Sequence, residues 1–179
     1  VKSDGSIYFT DPGGTAAPDQ WDVTVSGVYR VSPDLGTMSL VVPDMTRPNG
    51  LAFSPDESIL YVADSRRRQV RAYDMQPNGT TFLDTSRLFV DLGGAEPGTP
   101  DGIKIDTQGN MYAGGAGGLY IIDKTGKKLG RIVHGQPATT NVAFGGDDWK
   151  TVYFTSRSTL FSVNVKIAGV PVPVKKKTA

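Results

Sequence analysis

The sequence predicts an all-β chain assembled from repeated small sheets. First, 22 glycines and 12 prolines punctuate stretches rich in Val, Ile, Tyr, Phe and Thr, the composition of short strands joined by tight turns. Second, one strand phrase built around a tyrosine returns four times. Third, each return has a turn in front of it and an alternating apolar strand behind it.

Taken in order, Ser6-Ile7-Tyr8-Phe9-Thr10-Asp11 follows the turn Ser3-Asp4-Gly5 and leads to a strand at Gly27 to Val31. Ile59 to Asp64 follows Ser54-Pro55-Asp56. In that turn proline presets one backbone angle and aspartate can bond its own backbone. Its follower strand is Val70 to Asp74. Asn110 to Gly114 comes after Asp106-Thr107-Gln108-Gly109 and before Gly118 to Asp123. Thr151 to Ser156 comes after Gly145 to Asp148 and before Leu160 to Val165. An outer strand is expected in three of these units, at Met38 to Val42, Arg87 to Asp91 and Lys128 to Val133. The marker residues Tyr8, Tyr61, Tyr112 and Tyr153 recur at intervals of roughly 40 to 50 residues, and four short strands in such a period describe a β-propeller blade.

The expected architecture is a partial β-propeller over 1–169, about three and a half four-stranded blades, with an extended basic tail over 170–179. The first unit lacks its innermost strand, because Val1-Lys2-Ser3 enters a strand pair directly, so N-terminal blades are expected upstream. The irregular connection Pro12 to Ser26, with Trp21 in it, reads as a surface excursion or a lid over one end of the ring.

The bulk numbers narrow the function classes. Nineteen basic residues face eighteen acidic ones, for a net charge of +1. The only basic runs, Arg66-Arg67-Arg68 and Lys175-Lys176-Lys177, fall in an expected hairpin loop and in the tail. That is no basic footprint for nucleic acid. No apolar run approaches the roughly 20 residues that span a bilayer. The absence of cysteine excludes disulfides and thiolate metal sites and leaves the compartment open. The single histidine, His134, falls on an expected outer strand, far from the propeller channel, and reads as a loop-packing or solvated residue. No Ser-His-Asp arrangement is in prospect.

Innermost strands line a propeller's channel, so polar residues at their heads converge on one axis. Pro48-Asn49-Gly50-Leu51-Ala52-Phe53 aligns with Pro100-Asp101-Gly102-Ile103-Lys104-Ile105, and more loosely with Thr140-Asn141-Val142-Ala143-Phe144. The repeated feature is an oxygen-bearing side chain: Asn49, Asp101, Asn141. Such donors suit a hard cation, Ca²⁺ foremost or Mg²⁺, and the same set is open to Zn²⁺ or Mn²⁺. Asn-Gly and Asp-Gly are also ordinary turn pairs, so the residues alone leave a shared cation site and a set of repeated caps both standing.

Arg47-Pro-Asn-Gly-Leu-Ala-Phe-Ser-Pro-Asp, Thr99-Pro-Asp-Gly-Ile-Lys-Ile-Asp and Thr140-Asn-Val-Ala-Phe-Gly-Gly with Val152-Tyr-Phe-Thr resemble the gluconolactonase / senescence marker protein (regucalcin) / luciferin-regenerating enzyme family. The resemblance runs to about Gly169. It implies a six-bladed propeller with one divalent cation in the channel and hydrolysis of small-molecule lactones. By the same resemblance, Asn49 and Asp101 match two metal ligands of that family, with Asp101 also the group that takes a proton from the attacking water. The family's metal-binding glutamate has no counterpart in this sequence, and its Asn-Asp pair would lie before Val1. Asn141 is assigned a channel-lining role. With part of the metal shell absent, the 179 residues alone are expected to be inactive. The alternative class is a non-catalytic propeller that binds a protein or small ligand, with the cation structural.

Overall fold

A computed structural model describes residues 1–13 and 25–171. These residues form fourteen strands: β1 (Ile7–Asp11), β2 (Gly27–Val31), β3 (Met38–Val42), β4 (Pro48–Phe53), β5 (Ile59–Asp64), β6 (Gln69–Met75), β7 (Thr81–Asp91), β8 (Ile103–Ile105), β9 (Met111–Gly115), β10 (Gly118–Ile122), β11 (Lys128–Ile132), β12 (Asn141–Gly145), β13 (Thr151–Ser156) and β14 (Thr159–Asn164). They pair only with their neighbours in sequence, as antiparallel meanders in four sheets: β1-β2-β3, β4-β5-β6-β7, β8-β9-β10-β11 and β12-β13-β14. This is the predicted all-β propeller architecture. Each sheet is one blade.

The hairpin between β4 and β5 shows how the turns are made. The Ser54 N–H donates to the Ile59 carbonyl (2.9 Å) and the Glu57 N–H to the Ser54 carbonyl (2.8 Å). The Ser54 hydroxyl donates to Asp56 Oδ1 at 2.6 Å, and the same carboxylate oxygen accepts the Ser58 N–H at 3.1 Å. Aspartate in this place repeats: Asp106 Oδ1 accepts the Gln108 and Asn110 N–H groups, each at 2.9 Å, in the turn between β8 and β9.

Packing follows from strand periodicity. On β5, Leu60 and Val62 point to the first sheet, where they join Tyr8, Val28 and Val42, while Tyr61 and Ala63 point to the third, where they meet Ile103, Ile105 and Met111. Successive side chains of a strand face opposite ways, so a strand between two blades must be apolar on both faces. Tyr112 and Leu119 of the third sheet pack in turn on Val142, Phe144 and Val152 of the fourth. Two of the marker tyrosines reach across these interfaces with an aromatic partner. Tyr8 meets Phe53 edge-on at 4.9 Å, and Tyr112 meets Phe144 in the same way at 5.0 Å.

Three expectations are refined. The outer strand of the second sheet begins at Thr81 rather than Arg87, with register shifts that lengthen it against β6. The inner strand of the third sheet is confined to Ile103–Ile105, because Pro100 to Gly102 are taken up in the turn that enters it. His134 is a packing residue: its ring lies 5.5 Å from Phe154 and 5.1 Å from Phe161, and Nε2 is 2.9 Å from Thr139 Oγ1. Most of the Pro12 to Ser26 connection, including Trp21, and the tail beyond 171 lie outside the described residues. Before that point the chain turns back under the third sheet, where the Val170 N–H donates to the Ile105 carbonyl at 3.1 Å.

Candidate functional site

The inner strands β4, β8 and β12 stand side by side, and their heads are joined by hydrogen bonds that run from blade to blade. Thr10 Oγ1 donates to the Asn49 carbonyl at 2.8 Å. The Gly50 N–H donates to the Asp101 carbonyl, and the Gly102 N–H to the Thr140 carbonyl, each at 3.2 Å. This contact explains the glycine after each polar residue. A Cβ on Gly50 would collide with the Asp101 carbonyl oxygen, and one on Gly102 with the Asn141 side chain. The Asn-Gly and Asp-Gly pairs are therefore places where one inner strand closes on the next, and Asn49 and Asp101 are brought together as a consequence.

The strand pairs that follow the heads are in step, and the blade-to-blade bonds set the order of the heads themselves. Ala52 pairs with Tyr61, Lys104 with Tyr112 and Ala143 with Tyr153. The Gly50 N–H meets the Asp101 carbonyl and the Gly102 N–H meets the Thr140 carbonyl, so Thr140 follows Asp101 along the seam and Asn141 lies against Gly102. Asn141 is exposed, its Oδ1 accepts the Val142 N–H at 2.9 Å, and it leans on Gly102. It lies beside the pair rather than in the same ring.

Asn49 is fixed by a short relay that the sequence reading missed. Its Nδ2 donates to Ser65 Oγ at 3.1 Å, and the Ser65 hydroxyl donates onward to the Pro100 carbonyl at 2.6 Å. The hydroxyl proton is thus spent on Pro100, so Ser65 must be the acceptor from Asn49. The amide is held in one orientation, and among the described residues Asn49 Oδ1 has no hydrogen-bond donor. Behind it the fully buried Asp64 accepts the N–H groups of Thr46 (2.9 Å), Arg47 (3.3 Å), Arg66 (3.1 Å) and Arg67 (3.0 Å). This carboxylate binds the entry of β4 to the loop after β5. The Asp64-Ser65 pair closing an apolar strand was the available signal.

Asp101 is half-buried and forms no ion pair among the described residues. Burial pushes its carboxyl above the ordinary aspartate range, and the Asn49 amide, the Gly102 N–H and the Arg47 charge pull it only part of the way back. An amide with an oxygen that no donor holds and a desolvated carboxylate at adjoining strand heads are donors of the type that suits a hard metal ion. The fit is a partial one, since no group of three His, Cys, Asp or Glu side chains is gathered for a metal among the described residues.

Residues 1–158 match the family described as the SMP-30/Gluconolactonase/LRE-like region. The chain belongs to this family. Among its relatives, a gluconolactonase from Zymomonas mobilis is 38% identical over 178 residues, covering 92% of this chain and 49% of that protein. A solved gluconolactonase from Xanthomonas campestris superposes with a TM-score of 0.78 at 29% identity, covering 92% of this chain and 55% of the other. A regucalcin from Agrobacterium tumefaciens, described as a calcium-binding protein, superposes at 0.74 with 18% identity, covering 93% and 60%, and shows the shared fold. The family member described here spans about half the length of the relatives it matches.

Proposed function

We propose that this chain carries one side of the active site of a divalent-cation-dependent lactone hydrolase, with Asn49 and Asp101 as cation ligands. The observation that carries the reading is the blade-to-blade contact at Gly50, which brings the Asn49 amide beside the desolvated Asp101 carboxylate in a chain 38% identical to a gluconolactonase. Calcium is the first choice, from the hardness of the two oxygens and from the description of the regucalcin neighbour as calcium-binding. Mg²⁺, Zn²⁺ and Mn²⁺ are the alternatives.

When bound, the cation supplies Lewis acidity toward a lactone carbonyl and lowers the pKa of water. The residues have separate tasks. Asn49, locked by Ser65, presents a neutral oxygen and so leaves the positive charge of the ion largely uncompensated. Asp101 sits at the place where a proton must be accepted as water attacks the lactone carbonyl. Arg47, exposed at the same strand head and close enough to act on the Asp101 charge, is placed to meet the carboxylate that ring opening produces. Asn141 lines the rim.

The test is calorimetric titration of Ca²⁺ into the chelated protein, together with hydrolysis of glucono-δ-lactone before and after chelation. Asp101→Ala is expected to weaken cation binding by at least tenfold. Binding that survives Asp101→Ala unchanged would falsify the assignment. Two protein oxygens are fewer than the six to eight that Ca²⁺ takes, so turnover by residues 1–179 alone is expected to be slow. Cation binding with no hydrolysis by the protein at any length would mark the cation as structural and the propeller as a binding module.

A further inference from the structure

The three inner strands share a second level, three residues beyond the Asn49/Asp101 level. There the side chains are Ala52, Lys104 and Ala143, each paired with a marker tyrosine. Two alanines leave space beside one lysine. A cavity of about 410 Å³ opens at this end, with Leu51, Phe53, Ile105 and Val170 as its apolar wall and Lys104 in its side. Neither Asn49 nor Asp101 reaches it.

Lys104 is half-buried, and its ammonium donates one hydrogen bond, to the Ile103 carbonyl at 3.0 Å. It makes no ion pair among the described residues. An ammonium has three donors, so two are left for something else, and burial lowers the Lys104 pKa for want of a counter-charge. The carboxylates nearest the mouth are otherwise engaged. Glu57 accepts the Ser3 N–H and hydroxyl and pairs with Lys2 at 3.3 Å. Asp56 accepts the Ser54 and Ser58 hydroxyls and lies exposed at the rim.

We propose that this cavity is a second ligand site, distinct from the Asn49/Asp101 end, for a small monocarboxylate with a compact apolar body, whose carboxylate pairs with Lys104. A volume of this size lies in the range of small-molecule sites, which are apolar with a few placed polar groups. A carboxylate supplies both the missing counter-charge and the acceptors for the free N–H groups. The apolar wall selects against a heavily hydrated anion such as phosphate.

The experiment is titration of benzoate, benzamide and inorganic phosphate into the 179-residue protein, followed by calorimetry, with thermal melts to confirm that each variant is folded. Benzoate is expected to bind at least tenfold more tightly than benzamide or phosphate. Lys104→Met should weaken benzoate by tenfold or more and Lys104→Arg by less. Asp56→Asn should strengthen it several-fold by removing a like charge at the mouth. Asp101→Ala should leave it unchanged. Equal binding of benzoate and benzamide overturns the proposal, as does tighter binding of phosphate. If Lys104→Met does not fold, Lys104→Arg and Asp56→Asn still decide, since an anion site elsewhere would respond to neither. Loss of benzoate in Asp101→Ala but not in Lys104→Met would place the anion at the other end of the channel and overturn the proposal, while leaving the cation reading to its own test.

Discussion

As the cation ligand proposed above, Asp101 would hold two opposed roles in one side chain. Its carboxylate is desolvated beside Asn49 and only partly balanced by the Arg47 charge, which would be useful to a metal and is unfavourable to the fold. The folded pKa stands above the unfolded value. The unfolded chain therefore ionises first, and stability falls as pH rises from the ordinary aspartate range through the folded pKa. Asp101→Asn removes the charge and keeps the shape. In chelator at neutral pH it is expected to raise the melting temperature, while cation binding is lost. A melting temperature below that of the unsubstituted protein would show that the carboxylate is stabilised by its neighbours after all. Such opposition between stability and function is expected of a binding residue.

At the level of strands and turns, the glycines that follow Asn49 and Asp101 decide whether the inner strands meet. Gly102→Ala forces a methyl group into the Asn141 side chain, and overpacking of this kind is expected to cost about 1–3 kcal/mol. Because the Gly102 N–H is bonded to the Thr140 carbonyl, the same variant should also weaken cation binding at Asp101. Chemical unfolding and Ca²⁺ titration check the two effects together. The strands themselves were legible in the sequence, because the Tyr8, Tyr61, Tyr112 and Tyr153 phrases repeat and each turn carries its own Asp, Pro or Gly. That Asn49 and Asp101 stand at the heads of adjoining inner strands was legible for the same reason. The place of Thr140 in the seam was not, since Thr140 and Asn141 are both polar and only the Gly102 N–H bond to the Thr140 carbonyl tells them apart. Ser65 was missed because its importance lies in a partner 16 residues away on another strand. Lys104 was read only as part of a motif, since its isolation depends on Ala52 and Ala143 beside it.

Across the whole molecule, blades are held by apolar faces and by a few polar struts. One strut between the first and second blades is Glu57, which accepts the Ser3 N–H at 2.7 Å and the Ser3 hydroxyl at 2.5 Å and pairs with Lys2. Burial alone would raise the Glu57 carboxyl, but the Ser3 hydrogen bonds and the Lys2 charge outweigh it and hold it below the usual range. Its folded pKa is depressed, so its contribution is present above the ordinary glutamate pKa and is lost as pH falls through the folded value. Glu57→Gln is expected to destabilise the protein at neutral pH by about 1 kcal/mol, the scale of a lost hydrogen bond. The difference should close in acid, where the glutamate is itself protonated. A gap that persists undiminished in acid would assign the effect to packing.

The hydrogen bonds at Gly50 and Gly102 have a consequence in time as well as in space. Each belongs to one blade as donor and to the next as acceptor, so neither amide can exchange its hydrogen with solvent unless two blades part. Exchange at these two positions therefore times the separation of whole blades, in contrast to amides inside a sheet, which report on single strands. Since Asn49 and Asp101 are neighbours only while those bonds are closed, a bound cation should slow exchange at Gly50 more than at any amide within β10 or β14. Equal slowing everywhere would mean that the cation stabilises the fold as a unit rather than the seam on which it sits.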